Sequence, residues 1–90
     1  VEANKVVTFK AYVRRDNTGI TATVAARQDR NIFTISSDVA ATCTASADTW
    51  QELTLSITPV NSGELYIDFE AFGGNSHTAY IDDISVTQAP

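Results

Sequence analysis

The sequence predicts an all-β domain: an antiparallel two-sheet β-sandwich of jelly-roll type. Three observations predict it. Apolar and polar residues alternate with period two in stretch after stretch, the mark of strands with one face in a core and one in water. Twelve threonines, with many valines and isoleucines, favour pleated surfaces over helices. No window carries the i, i+3, i+4 apolar spacing of an amphipathic helix.

Val7, Phe9, Ala11 and Val13 alternate with Thr8, Lys10, Tyr12 and Arg14, which gives the first strand. Arg15 to Gly19 carries turn chemistry, because Asn and Gly tolerate positive φ. A second strand places Ile20, Ala22, Val24 and Ala26 inward, and the polar stretch Gln28 to Asn31 reads as the next turn. A short strand through Ile32–Ile35 and a weaker one near Val39–Ala45 follow. Leu53, Leu55 and Ile57 alternate with Thr54 and Ser56. Trp50 differs from them in parity, so a core position for Trp50 requires a bulge between it and Leu53. Pro59 to Gly63 is a loop, because proline cannot donate to a central ladder. Leu65, Ile67, Phe69 and Ala71 give another inward face, Gly73 to Ser76 is the most flexible stretch, and the last strand runs from Ala79 to Thr87. Roughly seven short strands at about ten-residue spacing suit a sandwich.

The 90 residues make one domain, 43% hydrophobic and 19% charged. That composition fits a folded chain. No apolar run approaches the roughly 20 residues of a bilayer helix, so no membrane span is expected. A net charge of −5 and a pI near 4.5 argue against nucleic acid as a partner. Cys43 is the lone cysteine and makes no internal disulfide; it is expected as a small buried hydrophobe. The chain starts at Val1 without an initiator Met or a signal peptide, and this is read as a processed or excised end.

Three phrases carry a resemblance. Val7-Thr8-Phe9-Lys10-Ala11-Tyr12-Val13 resembles the strand that opens many galactose-binding-like jelly rolls, the fold of numerous carbohydrate-binding modules. Trp50-Gln51-Glu52-Leu53-Thr54-Leu55 and the ending Ala79-Tyr80-Ile81-Asp82-Asp83-Ile84-Ser85-Val86 are similar to later strands of the same group. Ala47 to Trp50, Thr58-Pro59, Phe72-Gly73-Gly74 and the ending also resemble β-sandwich modules appended to bacteriophage structural proteins. The family usually has extra strands before the opening element, whereas only six residues precede Val7. The resemblance therefore implies a reduced domain, or a first strand supplied by another chain or a missing segment. It also implies a module of a larger protein, and an unpaired sheet edge is a template for a neighbour.

The candidate sites follow. Strict alternation sends Asp82 and Asp83 to opposite faces, which rules out a carboxylate dyad. With Ile84 and Val86 inward, Asp82 shares their side and is expected to be buried, which calls for hydrogen bonds or charge compensation. Members of the resembling group often use this first Asp to hold a structural calcium. The resemblance thus offers Asp82 as a calcium ligand, joined by Glu2 from the other terminus, beside the plainer reading of a hydrogen-bonded structural acid. Asp68 and Glu70 share one strand face and read as a solvated surface. Tyr12 and Tyr66 fall on polar faces, where they are candidate platforms for sugar rings or contacts in a protein interface. Trp50 is expected as a core aromatic. His77 stands beside a flexible loop without a positioned nucleophile. Arg14, Arg15, Arg27 and Arg30 gather in the first third and the acids in the last. Such asymmetry suits head-to-tail contacts between copies that loosen with salt.

The function expected is therefore a non-catalytic structural or assembly module of a virion (capsid, decoration or tail-associated) or another extracellular or cell-surface array. Its partners would be other protein subunits in a homo-oligomer or larger assembly. A carbohydrate-binding module acting on a glycan is the alternative, and an enzyme is not expected. No cofactor is expected beyond the structural calcium.

Overall fold

The computed structural model describes residues 1–28, 39–73 and 76–90. The described residues are all-β, with six strands: β1 (Val7–Arg15), β2 (Thr21–Arg27), β3 (Val39–Thr42), β4 (Gln51–Ile57), β5 (Tyr66–Phe72) and β6 (Ala79–Gln88). They form two antiparallel three-stranded sheets, ordered β4-β1-β6 and β3-β2-β5. Among the described residues no helix is long and apolar enough to cross a membrane. The strand expected at Ile32–Ile35 lies outside the described residues, as does part of the stretch from Gly73 to Ser76.

Period-two patterning becomes burial directly. On β1, Val7, Phe9, Ala11 and Val13 are buried while Lys10 and Tyr12 face solvent. Register carries the pattern across the sheet: Val7 lies opposite Ile57, Phe9 opposite Leu55 and Ala11 opposite Leu53. From the facing sheet, Ala22, Val24 and Ala26 close the core, joined by Cys43. Each fully buried large aliphatic or Phe side chain contributes roughly 1.5–3 kcal/mol relative to exposure.

Polar side chains tie the ends of this core. Arg15 follows the inward parity of β1 and is only 8% exposed. Its guanidinium donates to the carbonyls of Thr18 (3.3 Å), Ile20 (3.1 Å) and Ala45 (2.5 Å), which fastens the β1–β2 turn to the segment after β3. In that turn, the Gly19 N–H donates to Asn17 Oδ1 at 2.7 Å, the local bond for which Asn is suited. Gln51 occupies an inward position of β4 opposite Val13. Its Oε1 accepts the N–H groups of Thr44 and Ala45 at 2.7 and 2.9 Å. The N-terminal segment is strapped to the loop after β4 by bonds from Asn4 to Pro59 and, in both directions, between Val1 and Gly63. Gly63 has φ +131°, a conformation that a side chain resists.

Two expectations about parity fail. Trp50 keeps the outward parity of Glu52, is 45% exposed and requires no bulge in β4. The irregularity sits in β6 instead. Pairing between β1 and β6 shifts register between Lys10 and Tyr12, where Asp83 takes φ +52°. This residue in the left-handed region is the extra residue of a bulge, and it reverses parity along β6. Asp82 therefore lies opposite Tyr12 on the outer face and is exposed, while Val86 lies opposite the buried Phe9. The expected burial of Asp82 beside Ile84 and Val86 does not occur.

The sheets pack on each other mainly along β3 and β4, with β2 also reaching β4. On the opposite side, β5 and β6 are both edge strands among the described residues. There Ile84 and Val86 are 58% and 51% exposed, although β6 turns Val86 to the side on which Phe9 is buried. Among the described residues, one half of the sandwich is closed and the other is open.

Candidate functional site

The outer face of the β4-β1-β6 sheet carries a shallow hollow of about 330 Å³, lined by Tyr12, Trp50, Asp82 and Asp83. Three separate elements build it. Tyr12 is an outward residue in the middle of β1, with Glu52 of β4 on one side and Asp82 of β6 on the other. Trp50 enters from the segment before β4, whose turn holds Asp48 at φ +60° with its N–H donating to the Arg15 carbonyl at 2.6 Å. Asp82 and Asp83 come from the bulge, where the Asp83 N–H donates to Asp82 Oδ1 at 2.8 Å. The bulge also cancels the expectation that these two acids serve opposite faces. Both carboxylates line the same hollow.

Arg14 borders the hollow. Its guanidinium lies 4.3 Å from the ring centre of Tyr80 and 5.4 Å from that of Trp50, and it donates to Asp48 Oδ1 at 3.2 Å. Cation–π attraction and the ion pair hold the two aromatic rings about one planar cation. Tyr12 and Tyr80 are 39% and 41% exposed, so ring surface remains open to solvent. The carboxylate of Glu52, and to a smaller degree that of Asp83, pushes the Tyr12 hydroxyl above its ordinary pKa. Tyr12 therefore stays a neutral phenol, able to donate and accept, across the physiological range.

The other predicted residues do not gather here. Tyr66 lies opposite Arg27 on the outer face of the second sheet, where its hydroxyl donates to Glu64, so it cannot share a ligand with Tyr12. Glu2 is ion-paired with Lys5, and its backbone is bonded to the Gln88 side chain. Gln88 lies six residues along β6 from Asp82, about 20 Å of extended strand. The Glu2–Asp82 pair suggested for calcium is therefore not assembled. Among the described residues no group of three or more His, Cys, Asp or Glu side chains converges as a metal site would.

Of the four arginines suggested as an interface, Arg15 is buried, Arg14 holds the aromatic cluster and Arg27 pairs with Asp68 at 2.6 Å. Arg30 lies outside the described residues. Burial withdraws Arg15 from any partner. His77 rests 3.5 Å from Asp16, whose other oxygen accepts the Thr78 N–H at 2.9 Å.

Sequence reasoning missed Trp50, Tyr80 and Asp83 as members of one cluster. The shared parity of Trp50 and Glu52, and of Tyr80 and Asp82, held the signal for two of them. Asp83 left none, because its contribution depends on a bulge that periodicity does not announce. The arrangement offers flat apolar ring faces beside carboxylate acceptors and a cation, which suits a polyhydroxylated ligand or a polar protein contact. A scan of protein-family models and searches of curated proteins and of solved structures found nothing that matches this chain.

Proposed function

We propose that the chain is a non-catalytic structural module of a virion or another extracellular array, acting through protein–protein contacts. The observation that carries this reading is the open side of the sandwich, where Ile84 and Val86 of edge strand β6 remain more than half exposed. Apolar surface left on an inner sheet face, next to an unpaired backbone edge, marks a place that a neighbour completes. The proposed architecture is a jelly roll of the galactose-binding-like type, for which the opening, Trp50 and Asp82-Asp83 phrases speak. Light scattering over a range of concentrations tests the assembly reading. Wild-type chain should associate reversibly and dissociate as salt is raised. A wild-type chain that stays monomeric throughout and binds no hydrophobic dye on its open side would sink the reading.

A second reading is favoured by the hollow. Exposed Tyr12, Trp50 and Tyr80, with Asp82 and Asp83 beside them, are the elements of a glycan site: rings to stack on sugar C–H faces and oxygens to accept hydroxyls. Glycan-array binding that disappears in Trp50→Ala and Tyr12→Ala, with association intact, would establish it. Loss of association in those variants would instead make the hollow part of a protein contact.

A further inference from the structure

We propose that the β6 edge receives an extended strand from another protein segment, one in which apolar residues alternate with lysine or arginine. The inference rests on the assembly reading and names the chemistry of the partner. Three observations converge on it.

Among the described residues β6 is the longest strand and pairs with β1 alone. The backbone groups along its free side are disposed to accept a further antiparallel or parallel strand. The side chains next to that edge then set what the strand must carry. Inward, Ile84 and Val86 need apolar neighbours, because they lie on the core side and are half exposed. Outward, the same strand would run beside Asp82 and past Asp83. Inward apolar and outward cationic residues at alternate positions satisfy both faces at once.

Charge separates this occupant from a second copy of the chain. No lysine or arginine follows Arg30, whereas Glu64, Asp68, Glu70, Asp82 and Asp83 all lie in the last 27 residues. An antiparallel β6–β6 pair centred on the bulge, or a parallel pair in register, would set Asp82 and Asp83 against the same acids, and β5 brings Asp68 and Glu70 to its own outer face. Like charges across a strand pair destabilise it. The strand of this chain richest in cations, β1, is central and already paired on both sides. On the outer face, Lys10 lies opposite Ser85 and Arg14 is held by Asp48, so neither cation lies opposite the bulge acids. A cationic strand from elsewhere meets none of these conflicts.

The test uses a fluorescent, end-capped decapeptide of alternating lysine and valine, titrated against the wild-type chain at low salt. Two control peptides accompany it: one with the lysines replaced by glutamate, and one N-methylated at alternate residues so that it cannot complete a ladder. Saturable binding that weakens by about tenfold or more for both controls supports the proposal, as does added hydrogen-exchange protection on β6. Binding should also fall in Val86→Lys and in Asp82→Asn, the latter leaving the apolar contact in place. Absence of saturable binding overturns the proposal, and so does binding indifferent to N-methylation, which is charge attraction without a strand. Concentration-dependent protection of β6 in the chain alone would make a second copy the occupant and overturn it as well. In these cases salt-dependent light scattering still decides the assembly reading separately.

Discussion

The two halves of this sandwich are written in the same period-two code and end in different states. In the closed half, β1 and β4 turn Phe9, Leu53, Leu55 and Ile57 against Val24 and its neighbours, and all are buried. In the open half, β5 and β6 present Ile67, Phe69, Ile84 and Val86, and the first two are only partly covered while the last two are exposed. Alternation therefore reports which face of a strand is apolar. Whether that face is covered depends on a second layer that a single strand does not encode. Buried apolar side chains therefore gather on one side of the molecule and exposed ones on the other.

The largest expected effect breaks or confirms this division directly. Phe9→Ala should lower unfolding free energy by about 3–5 kcal/mol, since it removes a buried aromatic from a closed core. Val86→Ala, directly opposite on β6, should cost less than about 1 kcal/mol, because its side chain already meets water. Urea unfolding of both variants measures the pair. Comparable losses would mean that the open half is closed in solution.

Arg15 gives the next effect, at the end of the closed half. Arg15→Ala should cost about 1–3 kcal/mol, because the carbonyls of Thr18, Ile20 and Ala45 lose their donors. Lys10→Ala, on the exposed face of the same strand, should stay within about 0.5 kcal/mol of wild type. Thermal or urea unfolding checks both. An Arg15 loss no larger than that of Lys10 would show that the guanidinium is not holding the two loops together.

Much of the closed half was legible in the sequence. The inward residues of β1, β2 and β4 follow from alternation alone, and Cys43 from the tendency of a free cysteine to bury as a small hydrophobe. The site was less legible, for two physical reasons. A bulge changes the parity of everything beyond it, and Asp83 enters the left-handed region with no glycine to mark the spot. Asp82 was thereby assigned to the wrong face and its companionship with Tyr12 and Asp83 was hidden. Trp50 is expected as the core aromatic, although its parity with Glu52 places it outside. At Arg15, composition counts a cation without showing the three carbonyls that its guanidinium bonds.

The smallest effect sharpens the comparison at Tyr12, which stands between the closed and the open half. Glu52 on β4 raises its hydroxyl pKa more than Asp83 on β6 does, and the unperturbed value is 10.0. A raised value means that the folded chain holds this proton more firmly than the unfolded chain. The stabilisation is fully present below pH 10 and is lost as pH rises through the higher folded value. Tyr12 should therefore ionise above its ordinary value, read as the phase that Tyr12→Phe removes from an ultraviolet difference titration. Glu52→Gln should bring the phase down further than Asp83→Asn, because the closed-half carboxylate also hydrogen-bonds the phenol. If Asp83→Asn gave the larger shift, the bulge would lie closer to Tyr12 than β4 does, and the hollow would belong to the open half.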